Sequence, residues 1–279
     1  MLIRPRARPG HPYLAGAPIF AAHRGGAALA PENTMAAFEQ AVHRWGVDML
    51  ELDVRLSADG EVVVVHDATV DRTTDGSGAV ADLRLAQLRE FDAGARFRDL
   101  DGRLSHARRG IRIPTIGEVL EAFPHTRLNV EAKCAEVARP LVEAIERHGA
   151  AHRVLVAAEF EANRRSVRGY RGAWGASRSH LVPFWLLHRV PVLGRLYTPG
   201  CDVLQLPRRY RGREVVTPRL MAEANRRNLP VHVWVVDDPA EMGRLLDRGV
   251  HGIQTDRPDL LARVLHEVTG RPLPPGALP

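Results

Sequence analysis

The sequence predicts an α/β fold, a (β/α)8 TIM barrel with a small insertion after the second strand. Apolar segments of strand length alternate with segments of helix length along most of the 279 residues. Eight of the nine predicted strands are separated by enough chain for a crossover connection, and the ninth returns after a tight turn. The length also suits a single barrel of this class, which commonly has about 250 residues.

The first predicted unit is a strand, a glycine-rich loop and a helix. The apolar run of residues 18–22 predicts the strand, and residues 23–26, His-Arg-Gly-Gly, predict the loop. Asn33 is expected to be the N-cap of the helix, because asparagine is favoured at that position. Gly46 is expected to end the helix.

The next unit is a predicted β-hairpin in residues 48–67. Alternation of apolar and acidic residues puts Glu51 and Asp53 on one face of its first strand. Residues 59–60, Asp-Gly, are typical of a two-residue turn. Counting outward from that turn places Asp53 directly opposite His66, so these two side chains and Glu51 are expected to form a cluster.

Regular alternation resumes at residue 114 and continues nearly to the end of the chain. A capping box of Thr115 and Glu118 predicts the first helix of this part, and Thr-Pro and Asp-Pro pairs predict the start of two later helices. Strands are predicted at residues 127–133, 153–157, 173–176, 202–206, 231–236 and 252–255.

The remaining segments lie outside this pattern and suggest the domain organisation. Residues 67–113 are interpreted as an insertion with a helix near 83–91. Residues 1–18 are interpreted as a flexible basic arm, and residues 269–279 as a proline-rich tail with no core to join. The barrel itself is expected to occupy residues 19–268.

Composition restricts the kinds of partner. A net charge of +6 and a pI near 10.1 suit an anionic partner, but the arginines form no patch interleaved with aromatic residues, which disfavours nucleic acid. The two cysteines form neither a CxxC motif nor a disulfide framework, so we expect a cytoplasmic protein without zinc. Lys133 is the only lysine among 39 basic residues, which suggests a site that needs a compact point charge.

Polar residues follow the predicted strands at their carboxyl ends, where barrel enzymes carry their catalytic groups. These residues are His23, Arg24, Glu51, Asp53, Glu131, Lys133, Gln205, Trp234, Thr255 and Asp256. Carboxylates without cysteine or paired histidine ligands favour Mg²⁺ or Ca²⁺ over zinc. A structural network in which lysine and arginine offset the carboxylates is the alternative.

An ordered set of motifs resembles the glycerophosphodiester phosphodiesterase family. The matching segments are 23–25 (HRG), 31–34 (PENT), 51–54 (ELDV), 66–67 (HD), 71–76 (DRTTDG), 114–115 (PT), 129–133 (NVEAK), 231–236 with His232 and Trp234, and 252–258. Together they extend from about residue 19 to 268. The chain departs from the family pattern at Glu159, Val235 and Asp237, which concern the substrate rim.

The resemblance implies a barrel enzyme with one divalent cation, Mg²⁺ or Ca²⁺, on its acidic cluster. It implies that the glycerol 2-hydroxyl of a small glycerophosphodiester attacks phosphorus and that a cyclic phosphate is then hydrolysed, giving glycerol 3-phosphate and an alcohol. The implied roles are metal ligands Glu51, Asp53 and Glu131, acid and base His23 and His66, and substrate-binding residues Arg24, Lys133, Gln205 and Trp234.

Residues 181–197, LVPFWLLHRVPVLGRLY, are expected to influence the choice of substrate. The segment is too short and too interrupted to span a bilayer. It suits either an interfacial element peripheral to the membrane or an ordinary barrel helix that packs inward. Contact with lipid would favour a lysophospholipase D, and a catalytically silent barrel that binds phospholipid headgroups is a third hypothesis. The oligomeric state is left open.

Overall fold

The main sheet consists of eight parallel strands and one antiparallel partner, in a computed structural model that describes residues 12–190, 194 and 197–278. A separate two-stranded hairpin follows the seventh strand. In chain order the strands are β1 (Ile19–Ala22), β2 (Met49–Leu56), β3 (Val62–Val64), β4 (Arg127–Ala132), β5 (Val154–Ala157), β6 (Ala173–Trp174), β7 (Leu204–Pro207), β8 (Arg209–Tyr210), β9 (Arg213–Glu214), β10 (Val231–Trp234) and β11 (Gly252–Thr255).

The parallel strands form a closed ring. They are ordered β6-β5-β4-β2-β1-β11-β10-β7, and a parallel bridge between Gly175 and Val203 joins the segments next to β6 and β7. The eight strands predicted from the sequence are all present. The predicted (β/α)8 barrel is therefore confirmed.

Helices cover the outside of this ring. They are α1 (Met35–Glu39), α2 (Leu85–Leu88), α3 (Ile116–Ala122), α4 (Ala138–Arg147), α5 (Arg178–Leu187), α6 (Pro218–Arg226), α7 (Pro239–Asp247) and α8 (Pro258–Thr269). Shorter turns are 3₁₀ helices at Pro12–Leu14, His23–Gly25, Val80–Asp82, Ala150–His152, Glu161–Val167 and Pro275–Ala277, and a π-helical turn at Gln40–Arg44. In the described part of the chain, no helix is both long and apolar enough to cross a membrane.

Several predicted helix starts are confirmed, but the first one is wrong. Thr115 and Glu118 form the predicted capping box, and Thr217 and Asp238 cap α6 and α7. The cap of α1 is Thr34, whose hydroxyl accepts a hydrogen bond from the Ala37 amide. The predicted cap, Asn33, instead has φ +58° and directs its side chain toward β2.

The hairpin exists, but its predicted register is wrong by one residue. β2 and β3 pair Val54 with Val64 and Leu56 with Val62, and the Val65 amide donates to the Asp53 carbonyl. The loop therefore contains three residues, 58–60. Its last residue, Gly60, has φ +84°, the left-handed conformation that is common in three-residue hairpin loops. Asp53 therefore lies opposite Val65, and His66 lies beyond the strand.

Strand β2 divides its side chains between two layers, as predicted. Met49, Glu51 and Asp53 point into the barrel, where Met49 belongs to a small inner apolar cluster. Leu50 and Leu52 point outward into the main core between sheet and helices. Burying each of these leucines contributes about 1.5–3 kcal/mol, so the outer face holds the strand while the inner face remains available for polar groups.

The two ends of the chain pack against the barrel where they are described. Tyr13 is buried, and its hydroxyl donates to the Met49 sulfur at 2.8 Å, so the end of the predicted flexible arm is ordered here; residues 1–11 lie outside the described residues. Contrary to the prediction for the tail, Ala277 packs on the main core, and the Arg271 guanidinium binds Asp48 at 2.6 and 2.7 Å.

The segment predicted as an insertion has a small apolar core of its own. Val70, Val80, Leu88 and Ile113 are buried together against residues that extend β3. The sequence predicts a helix near residues 83–91, and the structure has α2 there with a 3₁₀ turn before it. This satellite core fixes the segment beside the carboxyl end of β2.

Candidate active site

A cleft of about 680 Å³ opens at the carboxyl ends of the barrel strands. It is lined by all nine residues predicted for the site: His23, Arg24, Glu51, Asp53, His66, Glu131, Lys133, Gln205 and Trp234. Strand ends and adjoining loops supply them, because parallel strands direct their carboxyl ends to one side of the barrel. The structure thus brings residues together that are up to about two hundred positions apart.

Three carboxylates form the centre of the cleft. Glu51 and Asp53 come from β2, and Glu131 comes from β4, where it is the direct strand neighbour of Asp53. Carboxylate oxygens of the three residues lie within 4.8 Å of one another. Such spacing fits a cation with metal–oxygen distances of about 2.0–2.6 Å.

Two basic side chains offset part of this negative charge. The Lys133 ammonium lies 2.9 Å from both Asp53 and Glu131, and Arg24 Nε lies 3.2 Å from Asp53. Burial would raise the pKa of Asp53, but Lys133 and Arg24 outweigh it and hold that pKa below its usual range. These two basic residues, which the resemblance implies as substrate-binding, therefore also neutralise part of the acidic cluster.

Of the three carboxylates, Glu51 is the one whose negative charge is least offset by basic side chains. It is buried, and its side chain accepts a bond from the Arg24 amide and lies 3.8 Å from His23 Nε2. Burial and repulsion by Asp53 raise the pKa of Glu51 to about 7. A hard divalent cation would stabilise the ionised carboxylate, so the charge balance as well as the spacing fits Mg²⁺ or Ca²⁺.

The two histidines have the same hydrogen-bonding arrangement. His23 Nδ1 is 2.7 Å from Asp256, and His66 Nδ1 is 2.6 Å from Asp67. A carboxylate accepts the Nδ1 proton, so Nε2 of each ring is available for proton transfer. Burial would lower the pKa of His23, but Glu51 and Asp256 raise it to about 9.

A chain of ion pairs connects the second histidine to the first loop. Arg72, from the predicted insertion, binds Asp67 at 2.5 Å and Glu32 at 2.7 Å. Glu32 also binds Arg24 at 2.9 Å. The bonds from Arg72 and His66 hold the pKa of Asp67 at about 2, so this carboxylate remains ionised at neutral pH.

In addition to Lys133 and Arg24, Asn33 contacts the buried carboxylate of Asp53. Its side-chain nitrogen donates to the Asp53 carboxylate at 3.0 Å, and its oxygen accepts from the Asp53 amide at 3.2 Å. This double contact explains the left-handed backbone of Asn33, a conformation that asparagine tolerates better than most residues. The loop before α1 is therefore part of the site.

The floor of the cleft carries amide side chains on the inner faces of the strands. Asn129, Gln205 and Gln254 line it, and each is less than a tenth exposed. Asn129 Oδ1 and Gln254 Nε2 have no hydrogen-bond partner among the described residues. Buried polar atoms without partners are costly, so these two are suited to bind a polar ligand or water.

Sequence reasoning assigns no role to five residues that hold the site: Glu32, Asn33, Asp67, Arg72 and Asp256. The first four belong to the motifs PENT, HD and DRTTDG, and Asp256 follows β11. Their motifs identified them as family features, but strand and helix periodicity carries no information about side-chain pairs between loops. For Asp256, the only signal in the sequence is its position directly after the predicted strand 252–255.

Comparison with known proteins shows the family of this chain. The model of the glycerophosphoryl diester phosphodiesterase family matches residues 23–173 and 185–260. A probable glycerophosphodiester phosphodiesterase 2 of Mycobacterium tuberculosis is 36% identical, with 90% of this chain and 91% of that relative covered. A glycerophosphodiester phosphodiesterase of Caldanaerobacter subterraneus is 32% identical, with 88% and 97% covered.

Solved structures show the same architecture. A phosphodiesterase of Oleispira antarctica, determined in complex with the product sn-glycerol-3-phosphate, has a TM-score of 0.73 and 25% identity, with 89% of this chain and 97% of that chain covered. The family match extends over most of the barrel, and the relatives match nearly from end to end. The chain therefore belongs to the glycerophosphoryl diester phosphodiesterase family.

Proposed function

We propose that this chain hydrolyses glycerophosphodiesters to glycerol 3-phosphate and an alcohol, with two histidines as acid and base beside a divalent cation. The observation that carries the proposal is the pairing of His23 and His66 with aspartates at the edge of a three-carboxylate cluster. Two oriented imidazoles beside such a cluster suit a reaction that needs one proton removed and another delivered.

The cation would be held by Glu51, Asp53 and Glu131. When bound, Mg²⁺ or Ca²⁺ would supply neutralisation of the negative charge that develops on the phosphate oxygens. Lys133, whose ammonium faces Asp53 and Glu131, and Arg24 would add their own charge at the same phosphate. Gln205 and Trp234, on β7 and β10, would contact the rest of the substrate.

The two imidazoles would share the proton transfers. Nε2 of one ring takes the proton of the glycerol 2-hydroxyl as its oxygen bonds to phosphorus, and the other ring protonates the oxygen of the departing alcohol. Water then opens the cyclic phosphate with the roles reversed. Asp67 and Asp256 stabilise each ring when it becomes an imidazolium, because their carboxylates face the Nδ1 protons.

Replacement of His23 or His66 by Ala tests the proposal. We expect release of glycerol 3-phosphate from glycerophosphocholine to be abolished in both variants, while circular dichroism and thermal unfolding remain those of the parent. His125→Ala, at an exposed position away from the cleft, is the control. Near-normal turnover in both site variants would refute the proposed mechanism.

A second candidate substrate is a lysophospholipid, because one wall of the cleft is apolar. Leu181 and Trp185 of α5, Leu206 of β7 and Val215 line this wall. An acyl chain would bury apolar surface there at about 25 cal/mol per Å². The proposed activity would then be that of a lysophospholipase D.

Assays of glycerophosphocholine against its acylated form separate the two substrates. Trp185→Ser should weaken turnover of the acylated substrate selectively if the wall binds the chain. An equal effect on both substrates would refute the acyl-chain hypothesis. Retained Mg²⁺ or Ca²⁺ binding without hydrolysis of any diester would instead support a catalytically silent barrel that binds headgroups.

A further inference from the structure

The mouth of the cleft carries a surface that is both apolar and basic, which we call the rim patch. It consists of Val182 and Leu186 of α5, and of Arg209, Tyr210, Arg211 and Arg213 in the β8–β9 hairpin, whose Tyr210 lines the cleft. We infer that the rim patch docks on an anionic phospholipid surface. Docking would present the mouth of the cleft to the membrane.

Helix α5 provides the apolar half of the rim patch. Leu181, Val182 and Trp185 line the cleft, and Val182 and Leu186, which lie four residues apart on the helix, are 45% and 52% exposed. The apolar surface therefore continues without interruption from the cleft wall to the outside. If Val182 and Leu186 only packed against the barrel, their side chains would not be about half exposed.

Exposed apolar side chains are concentrated at this mouth. Of the ten large hydrophobic side chains exposed among the described residues, Val182, Tyr210 and Trp234 line the cleft, and Leu186 lies one helical turn after Val182. Scattered exposure is normal in folded proteins, whereas a group around one opening indicates an interaction site. The rings of Trp185 and Tyr210 are 6.5 Å apart and connect α5 with the hairpin.

The hairpin provides the charge. Arg209, Arg211 and Arg213 are exposed and form no ion pair within the described residues. The acidic neighbour that could neutralise them, Glu214, is already paired with Arg244 and Arg248. Three uncompensated guanidinium groups beside exposed aliphatic side chains complement a surface with anionic headgroups above an acyl layer.

Two further features favour lipid over nucleic acid. Val182 and Leu186 insert between acyl chains but offer no ring on which a base can stack, and Tyr210 is the single aromatic member of the rim patch. The Arg189 guanidinium lies 4.2 Å from the Trp185 ring, and tryptophan and tyrosine are enriched at membrane–water interfaces. The inference does not rest on the proposed hydrolysis, because docking requires no turnover.

Cosedimentation of the full chain with vesicles at low ionic strength tests the inference. We expect binding to vesicles of phosphatidylglycerol mixed with phosphatidylcholine and much weaker binding to phosphatidylcholine alone. The triple variant R209Q/R211Q/R213Q should weaken partitioning to the anionic vesicles roughly a hundredfold. The matched control R139Q/R147Q/R263Q removes the same charge from exposed positions on α4 and α8 and should bind like the parent.

The apolar half of the rim patch is tested with separate variants. Leu186→Asn should weaken partitioning several-fold, whereas Leu100→Asn, at an exposed position in the insertion, should have no effect. Equal loss in the two arginine triples, no preference for anionic vesicles, no effect of Leu186→Asn, or preferred binding to single-stranded DNA would each overturn the inference. Because glycerophosphocholine is water-soluble, its hydrolysis by the Leu186→Asn variant distinguishes failure of docking from failure of the proposed activity.

Discussion

Arg72, in the segment inserted after the hairpin, is paired with Glu32 in the loop that precedes the first helix. Nη1 of Arg72 is 2.7 Å from the Glu32 carboxylate, and its Nε binds Asp67, the partner of His66. The insertion therefore supports the site directly. It connects the loop that carries His66 to the loop that carries Arg24 and Asn33.

Arg72→Gln should lower kcat about ten- to a hundredfold with a smaller change in KM. Loss of the guanidinium frees Asp67 and lets the His66 ring rotate, and a misplacement of about 1 Å can cost a hundredfold in rate. Steady-state kinetics on glycerophosphocholine measure the effect. Arg109→Gln, also an exposed arginine of the insertion, is the control, and equal activity in the two variants would show that Arg72 does not position His66.

Asp256→Asn should lower kcat at least about a hundredfold, because an amide nitrogen facing Nδ1 favours the wrong ring tautomer of His23. The hydrogen bond that selects the tautomer is 2.7 Å long. Thermal unfolding should change little, since the aspartate is partly exposed. Asp247→Asn at the exposed end of α7 controls for loss of one charge, and a variant with parental kcat would contradict the role of Asp256.

Titration with Mg²⁺ or Ca²⁺ after treatment with EDTA should raise the melting temperature of the parent, because a ligand that binds only the folded state stabilises it. Glu51→Gln should abolish this rise and yet be at least as stable as the parent in EDTA. Within the described part of the chain, His23 is the only ion-pair partner of this buried carboxylate, so removing its charge removes an unfavourable burial. Calorimetry provides a second measure of binding.

Glu121→Gln is the control for that experiment, since Glu121 is largely exposed. It should retain the parental response to both ions. A Glu51→Gln variant that still gained stability from either cation would exclude Glu51 as a ligand.

His232 makes the stability of the barrel dependent on pH. Burial lowers its pKa to about 3, from 6.5 in the unfolded chain. The native state excludes a proton that the unfolded state binds below pH 6.5, so this histidine contributes stability above that pH and loses it as pH falls toward 3. The loss is about 1.4 kcal/mol per pH unit at most.

His232→Asn should therefore flatten the decrease in unfolding free energy between pH 6.5 and 4.5, measured with urea, even if the variant is less stable at pH 7.5. The comparison is with His125→Asn, which replaces an exposed histidine and should keep the parental slope. Parallel pH profiles for the parent and the His232→Asn variant would exclude a linked proton at this position.

The barrel could be predicted because its eight strands are specified by local sequence. The alternation around Glu51 and Asp53, the capping box at Thr115 and the Asp-Pro pair before α7 each act within a few residues. The site was predicted in outline for the same reason, since strand ends and their side chains are found by counting.

The register of the β2–β3 hairpin and the loop contacts that support the site could not be predicted in this way. The turn dipeptide suits both a two-residue and a three-residue loop, and the difference of one residue moves the partner of Asp53 from His66 to Val65. The contacts of Arg72 with Glu32 and Asp67 depend on how three loops pack in space. The periodicity of residues within one helix or strand does not predict such contacts between loops.

The bond between Arg271 and Asp48 has a practical consequence for anyone shortening this protein. Asp48 also accepts the Phe20 amide at 2.8 Å, and the Arg271 guanidinium lies over the Phe20 ring. A truncation at residue 268, where sequence alone would place the domain boundary, removes the cation that joins the starts of two neighbouring strands. Expression trials and fusion designs should therefore retain the tail through Arg271.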